Sequence, residues 1–271
     1  MPAKYTEVNG CAIHYFYSGT TTLPEAVPDF SRGRKIVMIH GAGSNAHTFH
    51  RQVAALGERH SPIAPDLPGH GRSAGIEGLR SVADYSDFVA AFMDALQLDS
   101  AVILGHSMGG AIAMDFAHRR PDRAEALILS STAAKFNVTA ERLEALRAVT
   151  LGRTPQPFNT DGYAPKTLQE NFGAVREGWM EQIKTDPRVR YTDMLAVAEV
   201  DLRGDLPKIA KPALVLAGAD DQGTTVAAAE LIVAGILGAK LHVFADAGHF
   251  TPRERPAEYN AAIEEFLAGL M

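Results

Sequence analysis

Several residue types and sequence features are scarce or absent in this 271-residue chain. Cys11 is its single cysteine, which excludes an intrachain disulfide bond and a metal site made of several cysteines. The longest stretch without a polar side chain, Leu231–Ala239, is far shorter than the roughly 20 residues of a transmembrane helix. Because the N-terminus also lacks the apolar segment of a secretory signal, we expect a cytoplasmic protein with no membrane span.

Basic residues are also fewer than acidic ones. The chain has 26 Lys and Arg residues against 32 Asp and Glu residues, and its formal net charge is −6 at pH 7. Since binding to nucleic acid usually requires a basic surface, we expect no nucleic-acid partner. Hydrophobic residues make up 46% of the chain and charged residues 21%, which is typical of a globular protein. These values favour a soluble enzyme or binding protein of the α/β type.

Apolar segments alternate with helical patterns in both the first and the last part of the chain. An Asn9-Gly10 turn joins the first two predicted strands in a hairpin. Continuous apolar runs, typical of a parallel sheet covered on both faces, predict further strands at Lys35–His40, Pro62–Leu67, Ala101–Gly105, Ala126–Ser131, 212–220 and 239–247. Helices are predicted between them at Asn45–Arg59, Val82–Leu98, Met108–Arg119, Thr225–Ile236 and from about Arg255.

The alternation stops at about Ala133 and resumes at Pro212, and only helical patterns lie between. One set of apolar residues steps by three or four positions and predicts one face of a single helix: Leu168, Phe172, Val175, Trp179 and Ile183. Another helix is predicted around Leu143, with Thr139 as its N-cap, and a third around Leu195 to Leu202. We therefore predict a core domain of residues 1–132 and 207–271 and a helical cap of residues 133–206.

The sequence Gly105-His106-Ser107-Met108-Gly109 joins a predicted strand to a predicted helix. A Gly-x-Ser-x-Gly sequence at such a junction predicts a tight turn that presents a serine nucleophile. Glycine is needed two residues before and after the serine because larger side chains would collide there. The amide groups and partial positive charge of the helix N-terminus can stabilise an oxyanion.

A serine nucleophile needs a base and an acid that orients the base. With this type of turn, the order along the chain is serine, acid, histidine. His249 is the candidate base because it follows the last predicted strand, in the sequence DAGHF. Asp220 and Asp221, in GADDQG after the preceding strand, are both candidates for the acid.

A glycine-containing loop, His40-Gly41-Ala42-Gly43, follows the third predicted strand. Its glycines allow the backbone to approach the nucleophile closely. We predict that the backbone amides of Ala42 and Met108 bind the oxyanion and that His40 has a structural role.

The motifs HGAG, PDLPGHGRS, GHSMGG, GADDQG and DAGHF occur in this order and together resemble the α/β-hydrolase superfamily. The resemblance covers nearly the whole chain outside the predicted insertion. It implies an α/β fold with an eight-stranded, mostly parallel sheet and a helical cap at about residues 133–206. The family's acid usually lies three residues after the glycine that ends its strand, here Gly218, and this selects Asp221.

The resemblance implies a serine hydrolase that cleaves a carboxylic ester or a lactone through an acyl-enzyme. Ser107 is the expected nucleophile, His249 the base and Asp221 the orienting acid. The reaction needs no metal or cofactor, and we predict none. Two alternatives remain open: a C–C bond hydrolase with the same triad, and a ligand receptor of this fold with slow turnover. Hydrolases of C–C bonds usually have Asn before the nucleophile, where this chain has His106.

Three side chains are candidates for the substrate pocket: Phe49, His106 and Trp179. His47 and His50 lie three residues apart, as metal ligands often do. Since no Cys, Asp or Glu lies near them in the sequence, we predict a helix face that lines the pocket rather than a metal site.

Overall fold

One sheet organises the computed structural model, which describes residues 1–270. Its strands are β1 (Ala3–Val8), β2 (Cys11–Tyr17), β3 (Lys35–Ile39), β4 (Ser61–Pro65), β5 (Ala101–His106), β6 (Ala124–Ser130), β7 (Ala213–Gly218) and β8 (Lys240–Phe244). The eight strands are ordered β1-β2-β4-β3-β5-β6-β7-β8. Strand β2 is antiparallel to its two neighbours, β1 and β4. The other neighbouring strands, in the order β4-β3-β5-β6-β7-β8, are all parallel. The predicted eight-stranded, mostly parallel sheet is confirmed.

The helices follow the predicted positions closely in the core. They are α1 (His50–Leu56), α2 (Val82–Ala95), α3 (Met108–Arg119), α4 (Ala140–Thr150), α5 (Pro165–Glu170), α6 (Phe172–Gln182), α7 (Pro187–Glu199), α8 (Val226–Gly235), α9 (Thr251–Glu254) and α10 (Pro256–Ala268). A 3₁₀ turn over Ala46–Phe49 precedes α1, so the helix predicted at Asn45–Arg59 is shorter than expected. The hairpin turn is confirmed, since Asn9 and Gly10 both have positive φ, 52° and 78°.

Both faces of the sheet are covered by helices. Successive side chains of a strand point to opposite faces, and in β3 Val37 and Ile39 pack in the cluster that includes α2, α3 and α8. Ile36 and Met38 pack on the other face, in the cluster that includes α1 and α10. Because neither face is exposed to water, the central strands β3 and β5 are apolar at every position except Lys35 and His106 instead of alternating.

The insertion between β6 and β7 contains the four helices α4 to α7. Its two ends lie side by side, since the amide of Leu202 donates to the carbonyl of Ala134 at 2.8 Å. Thr139 caps α4 as predicted and accepts a hydrogen bond from the amide of Arg142 at 3.2 Å. We retain residues 133–206 as the proposed extent of the cap.

The apolar set from Leu168 to Ile183 does not form one helix face. Asn171, with φ −140° and ψ 51°, ends α5 and precedes α6. Because the chain leaves the helical conformation there, Leu168 belongs to α5, whereas Phe172, Val175 and Trp179 belong to α6. Val175 is fully buried, but Phe172 is 49% exposed and Ile183 is 40% exposed. The prediction of one buried face on a single helix is therefore wrong, both because of the break at Asn171 and because Phe172 and Ile183 are exposed.

In residues 1–270, none of the helices combines the length and the apolar character that crossing a bilayer would require. Cys11 is a free, exposed cysteine at the start of β2. The cytoplasmic location remains a prediction.

Candidate active site

Ser107 lies in a strained turn between β5 and α3. Its φ of 56° and ψ of −121° are rare for a residue with a side chain, and such strain is often found at functional sites. A Cβ atom on Gly105 would lie 2.0 Å from the carbonyl oxygen of Gly109. A Cβ atom on Gly109 would lie 2.1 Å from the carbonyl oxygen of Ile39. The close approach of these backbones explains why both positions are glycine.

Three predicted side chains form a hydrogen-bonded chain at the carboxyl ends of the parallel strands. The Nε2 atom of His249 lies 3.0 Å from the Oγ atom of Ser107. On the other side of the ring, Nδ1 lies 2.8 Å from Oδ2 of Asp221. Ser107 follows β5, Asp221 follows β7 and His249 follows β8, so the parallel sheet brings together residues that are far apart in the sequence.

The surroundings of the two candidate aspartates differ. Asp221 is 3% exposed, and its carboxylate accepts hydrogen bonds from the amides of Gly223 and Thr224 and from the Thr224 hydroxyl. Burial opposes its ionisation, but the hydrogen bonds from His249 and Thr224 outweigh burial and lower the pKa of Asp221 to about 2. Asp220 is half-buried, and its carboxylate makes no hydrogen bond within residues 1–270. Of the two, Asp221 is the one that contacts the histidine.

The glycine-containing loop, residues 40–44, lies directly against the serine, and we call it the oxyanion loop. A Cβ atom on Gly41 would lie 3.0 Å from the Cβ atom of Ser107. Ala42 follows in the loop, and its amide has no hydrogen-bond acceptor within the described chain. Met108 is the first residue of α3, where backbone amides lack helical partners. Both positions agree with the predicted oxyanion role, which remains a prediction.

The structure does not support two of the three pocket candidates. Phe49 has no exposed surface and packs in the core beneath α1. His106 is 3% exposed, and its Nε2 donates to the backbone carbonyl of His249 at 2.8 Å. It therefore supports the loop of the candidate base instead of facing a pocket. Trp179 is half-buried in the cap against Phe158, at 5.4 Å between ring centroids, and its pocket role remains a prediction.

Glu254 was missed by the sequence analysis. This buried carboxylate accepts hydrogen bonds from the amides of Gly248 and Phe250, on either side of His249. It also accepts from the amide of Ala164 and the hydroxyl of Thr167, which belong to the insertion. Burial raises the pKa of Glu254 in spite of these four hydrogen bonds. The sequence shows only that an acidic residue follows the predicted base by a few positions. It does not show which distant residues donate hydrogen bonds to that residue.

His47 and His50 meet a carboxylate that is remote in the sequence. Oε1 of Glu177, on α6, lies 3.7 Å from Nδ1 of His47 and 3.4 Å from Nε2 of His50. The two imidazole rings are stacked at 4.3 Å between centroids with an interplanar angle of 23°, and one potential ligand atom from each of His47, His50 and Glu177 lies within 4.8 Å of the others. Arg51 already pairs with the other carboxylate oxygen at 2.8 Å. The Arg51–Glu177 ion pair and the two histidines join the core to the insertion, and the absence of a metal site here remains a prediction.

The buried His106 gives a prediction for stability against pH. Burial, reinforced by the neighbouring imidazole of His249, lowers the pKa of His106 from 6.5 to about 3. The unfolded chain therefore binds a proton below pH 6.5 that the folded chain binds only near pH 3, and stability falls as the pH decreases between these values. With His106→Asn, the slope of unfolding free energy against pH should decrease by about 1.4 kcal/mol per pH unit, the value for one proton.

Urea unfolding of both proteins between about pH 4 and pH 6 measures this difference. His40, whose pKa burial lowers to about 4, makes a similar contribution to both proteins and does not affect the comparison. Equal slopes would contradict a neutral, buried His106.

Comparison with known proteins agrees with the fold and with the motifs. Residues 36–262 match the sequence profile described as "Alpha/beta hydrolase family". The chain therefore belongs to the α/β hydrolase family, and its relatives include hydrolases of several kinds. The 3-oxoadipate enol-lactonase 2 of Acinetobacter baylyi is 28% identical over 232 residues, which cover 84% of this chain and 86% of that protein.

Two further relatives show the range of the family. The 2-hydroxymuconate semialdehyde hydrolase of Pseudomonas sp. strain CF600 is 29% identical over 260 residues, which cover 89% of each chain. The crystal structure of the enol-lactonase from Burkholderia xenovorans is similar with a TM-score of 0.85 and 26% identity, over 97% of this chain and 99% of that one. The likeness extends over nearly the whole length of both chains.

Proposed function

We propose that this protein is a serine hydrolase that cleaves a carboxylic ester or a lactone through an acyl-enzyme intermediate. The observation that carries the proposal is the hydrogen-bonded chain from Ser107 through His249 to Asp221, with the serine held in a strained turn. This arrangement combines a nucleophile, a base on its hydroxyl and a buried carboxylate on the base, which acyl transfer requires.

In the proposed mechanism, Oγ of Ser107 attacks the carbonyl carbon while Nε2 of His249 accepts the hydroxyl proton. The carboxylate of Asp221 holds the ring with its Nδ1 proton directed away from the serine. The amides of Ala42 and Met108 donate to the oxyanion of the tetrahedral intermediate. His249 then gives its proton to the leaving alcohol, and water, activated by the same histidine, hydrolyses the acyl-enzyme.

The position of Arg190 favours a substrate that carries a negative charge. A Cβ atom on Gly43 would lie 2.5 Å from Cγ of Arg190, so this side chain of α7 covers the oxyanion loop. Burial, together with the charge of Arg142, lowers the pKa of Arg190, and no carboxylate of the described chain pairs with it. Its guanidinium lies beside the side-chain amide of Gln182, whose oxygen would accept from it at 3.1 and 3.3 Å once the amide oxygen and nitrogen are exchanged. We include a carboxylate on the substrate in the proposal, as in the 3-oxoadipate of the enol-lactonase relative.

Hydrolysis of a C–C bond is the second candidate. The likeness to 2-hydroxymuconate semialdehyde hydrolase favours it. His106 before the serine, where such enzymes usually have Asn, favours an ester or a lactone.

One hydrolysis panel tests the proposal. It contains acyl esters of graded chain length, lactones, a vinylogous diketone, and a dicarboxylic acid monoester beside its neutral diester. We expect repeated turnover of an ester or lactone. Cleavage of the diketone alone would establish the C–C alternative. Labelling of Ser107 by a fluorophosphonate without repeated turnover of any compound would indicate a receptor.

The same panel tests the role of Arg190. In Arg190→Gln, the preference for the monoester over the diester should fall about tenfold, since a charge-assisted hydrogen bond contributes roughly 1.5–3 kcal/mol. Arg188→Gln is the matched control because Arg188 lies on the same helix but is exposed and pairs with Asp186. An unchanged preference in Arg190→Gln would remove the carboxylate from the proposal.

A further inference from the structure

A buried carboxylate in the cap joins three segments of the core. Asp193, on α7, has no exposed surface. Its Oδ2 accepts hydrogen bonds from the amide of Gly43 at 2.8 Å and from Nε2 of His70 at 2.7 Å. Its Oδ1 accepts from the hydroxyl of Tyr85. The amide belongs to the oxyanion loop, His70 to the loop after β4, and Tyr85 to α2.

The charge of this group is compensated inside the protein. Burial opposes ionisation, but the buried His70 and the hydrogen bonds to Asp193 lower the pKa of the carboxyl group. Asp193 in turn raises the pKa of His70 against the effect of burial. Replacing a buried carboxylate whose hydrogen bonds are all made is costly. Each donor that then lacks an acceptor stays buried, where water cannot take the place of the lost partner.

The insertion contacts the oxyanion loop at successive points. Besides the bond from Asp193 to Gly43, the hydroxyl of Thr185 donates to the carbonyl of Ser44 at 3.2 Å. Gly43 has a φ of 63°, a left-handed conformation that the loop adopts directly after Ala42. The bond to Asp193 fixes the peptide plane between Ala42 and Gly43, and this plane limits rotation of the neighbouring Ala42 amide.

We propose that Asp193 is a positioning residue, which holds the oxyanion loop so that the Ala42 amide faces the carbonyl oxygen of the substrate. The inference rests on the proposed function, because it concerns the same oxyanion. Through Asp193 the cap helps to assemble the reaction centre, although Asp193 itself does not contact the substrate. Asp193 acts through the loop and exchanges no proton with the substrate.

The test is Asp193→Asn. The uncharged amide offers one acceptor oxygen to three donors that the carboxylate binds with two, so at least one donor loses its acceptor and the loop is held less firmly. We expect kcat to fall about 10- to 100-fold with KM changed less than threefold, somewhat less than the 10²–10³ loss on removing an oxyanion donor. The affinity of a phenylboronic acid, whose tetrahedral adduct uses the same amides, should fall in proportion to kcat.

Asp115→Asn is the matched control. Asp115 is a nearly buried carboxylate on α3 that pairs with Arg119 at 3.3 Å, away from the oxyanion loop. We expect this control to affect thermal stability while kcat and boronate affinity remain within threefold of the unmodified protein. Equal losses of kcat in the two variants would reduce Asp193 to a purely structural role and overturn the proposal.

Amide hydrogen exchange gives a measurement that does not depend on activity. Exchange at Gly43 should accelerate at least tenfold in Asp193→Asn, and unchanged exchange would overturn the proposal. A protein that hydrolyses no compound of the panel but shows this acceleration would refute the proposed function and leave the Asp193–loop contact intact.

If Asp193→Asn does not fold, His70→Gln replaces it, because this change removes the imidazole partner of Oδ2 and retains the aspartate. We then expect a smaller fall in kcat with the same proportional fall in boronate affinity. Unaltered kcat and boronate affinity in His70→Gln would overturn the proposal.

Discussion

Replacement of Ser107 by alanine is expected to lower kcat by about 10⁶-fold, the cost of removing the nucleophile from a comparable triad. Without Oγ, no acyl-enzyme can form, and His249 has no hydroxyl from which to accept a proton. The measurement is kcat on the best ester or lactone of the panel. Labelling by a fluorophosphonate should disappear in the same variant.

Ser131→Ala is the matched control for this prediction. Ser131 directly follows β6, the strand beside β5, is 1% exposed, and places its Oγ 3.3 Å from the hydroxyl of Thr251. We expect its kcat to remain within a few fold of the unmodified protein. Residual activity of Ser107→Ala within tenfold of the unmodified protein would exclude the serine mechanism.

Asp221→Asn has the second largest expected effect. In the folded protein the carboxyl group, with a pKa of about 2, is ionised at neutral pH and accepts the Nδ1 proton of His249. An asparagine can present its NH₂ group to Nδ1, which favours the tautomer with the proton on Nε2, where the base cannot accept the serine proton. The expected loss in kcat is about 10⁴-fold, as for the same change in a comparable triad.

Asp220→Asn is the control, because Asp220 is the adjacent residue and carries the same charge. Its carboxylate contacts neither His249 nor another hydrogen-bond donor of residues 1–270, so kcat should change by no more than a few fold. A larger loss in Asp220→Asn than in Asp221→Asn would show that the orienting acid has been assigned to the wrong residue.

Most of the core architecture could be predicted from local patterns. Apolar runs separated by helical periodicity identified the strands, and the Asn9-Gly10 turn identified the hairpin. The position of Ser107 was predictable because the conformation of its turn requires glycine on both sides, and this requirement is visible in the sequence itself. His249 was predictable because it follows the last strand of the sheet.

The cap was less predictable. Its apolar spacing indicated helices but not the interruption at Asn171, which a count of apolar positions does not detect. Phe49 was expected to line a pocket, but it ends a 3₁₀ turn and packs fully buried in the core cluster with residues of α1 and α10. Glu177 was not considered as a partner of His47 and His50, since it is far from them in the sequence.

The sequence alone was sufficient for the class of fold and for the three side chains of the proposed triad, because strand periodicity, glycine turns and residue order are local properties. The supporting contacts required the folded chain. Asp193 reaches the Gly43 amide across the interface between the insertion and the core, and Glu254 joins residues of the insertion to the loop of His249. A lone Asp on a helix or Glu in a turn has no local signature of such a role, since its partners and its burial depend on how distant segments pack together.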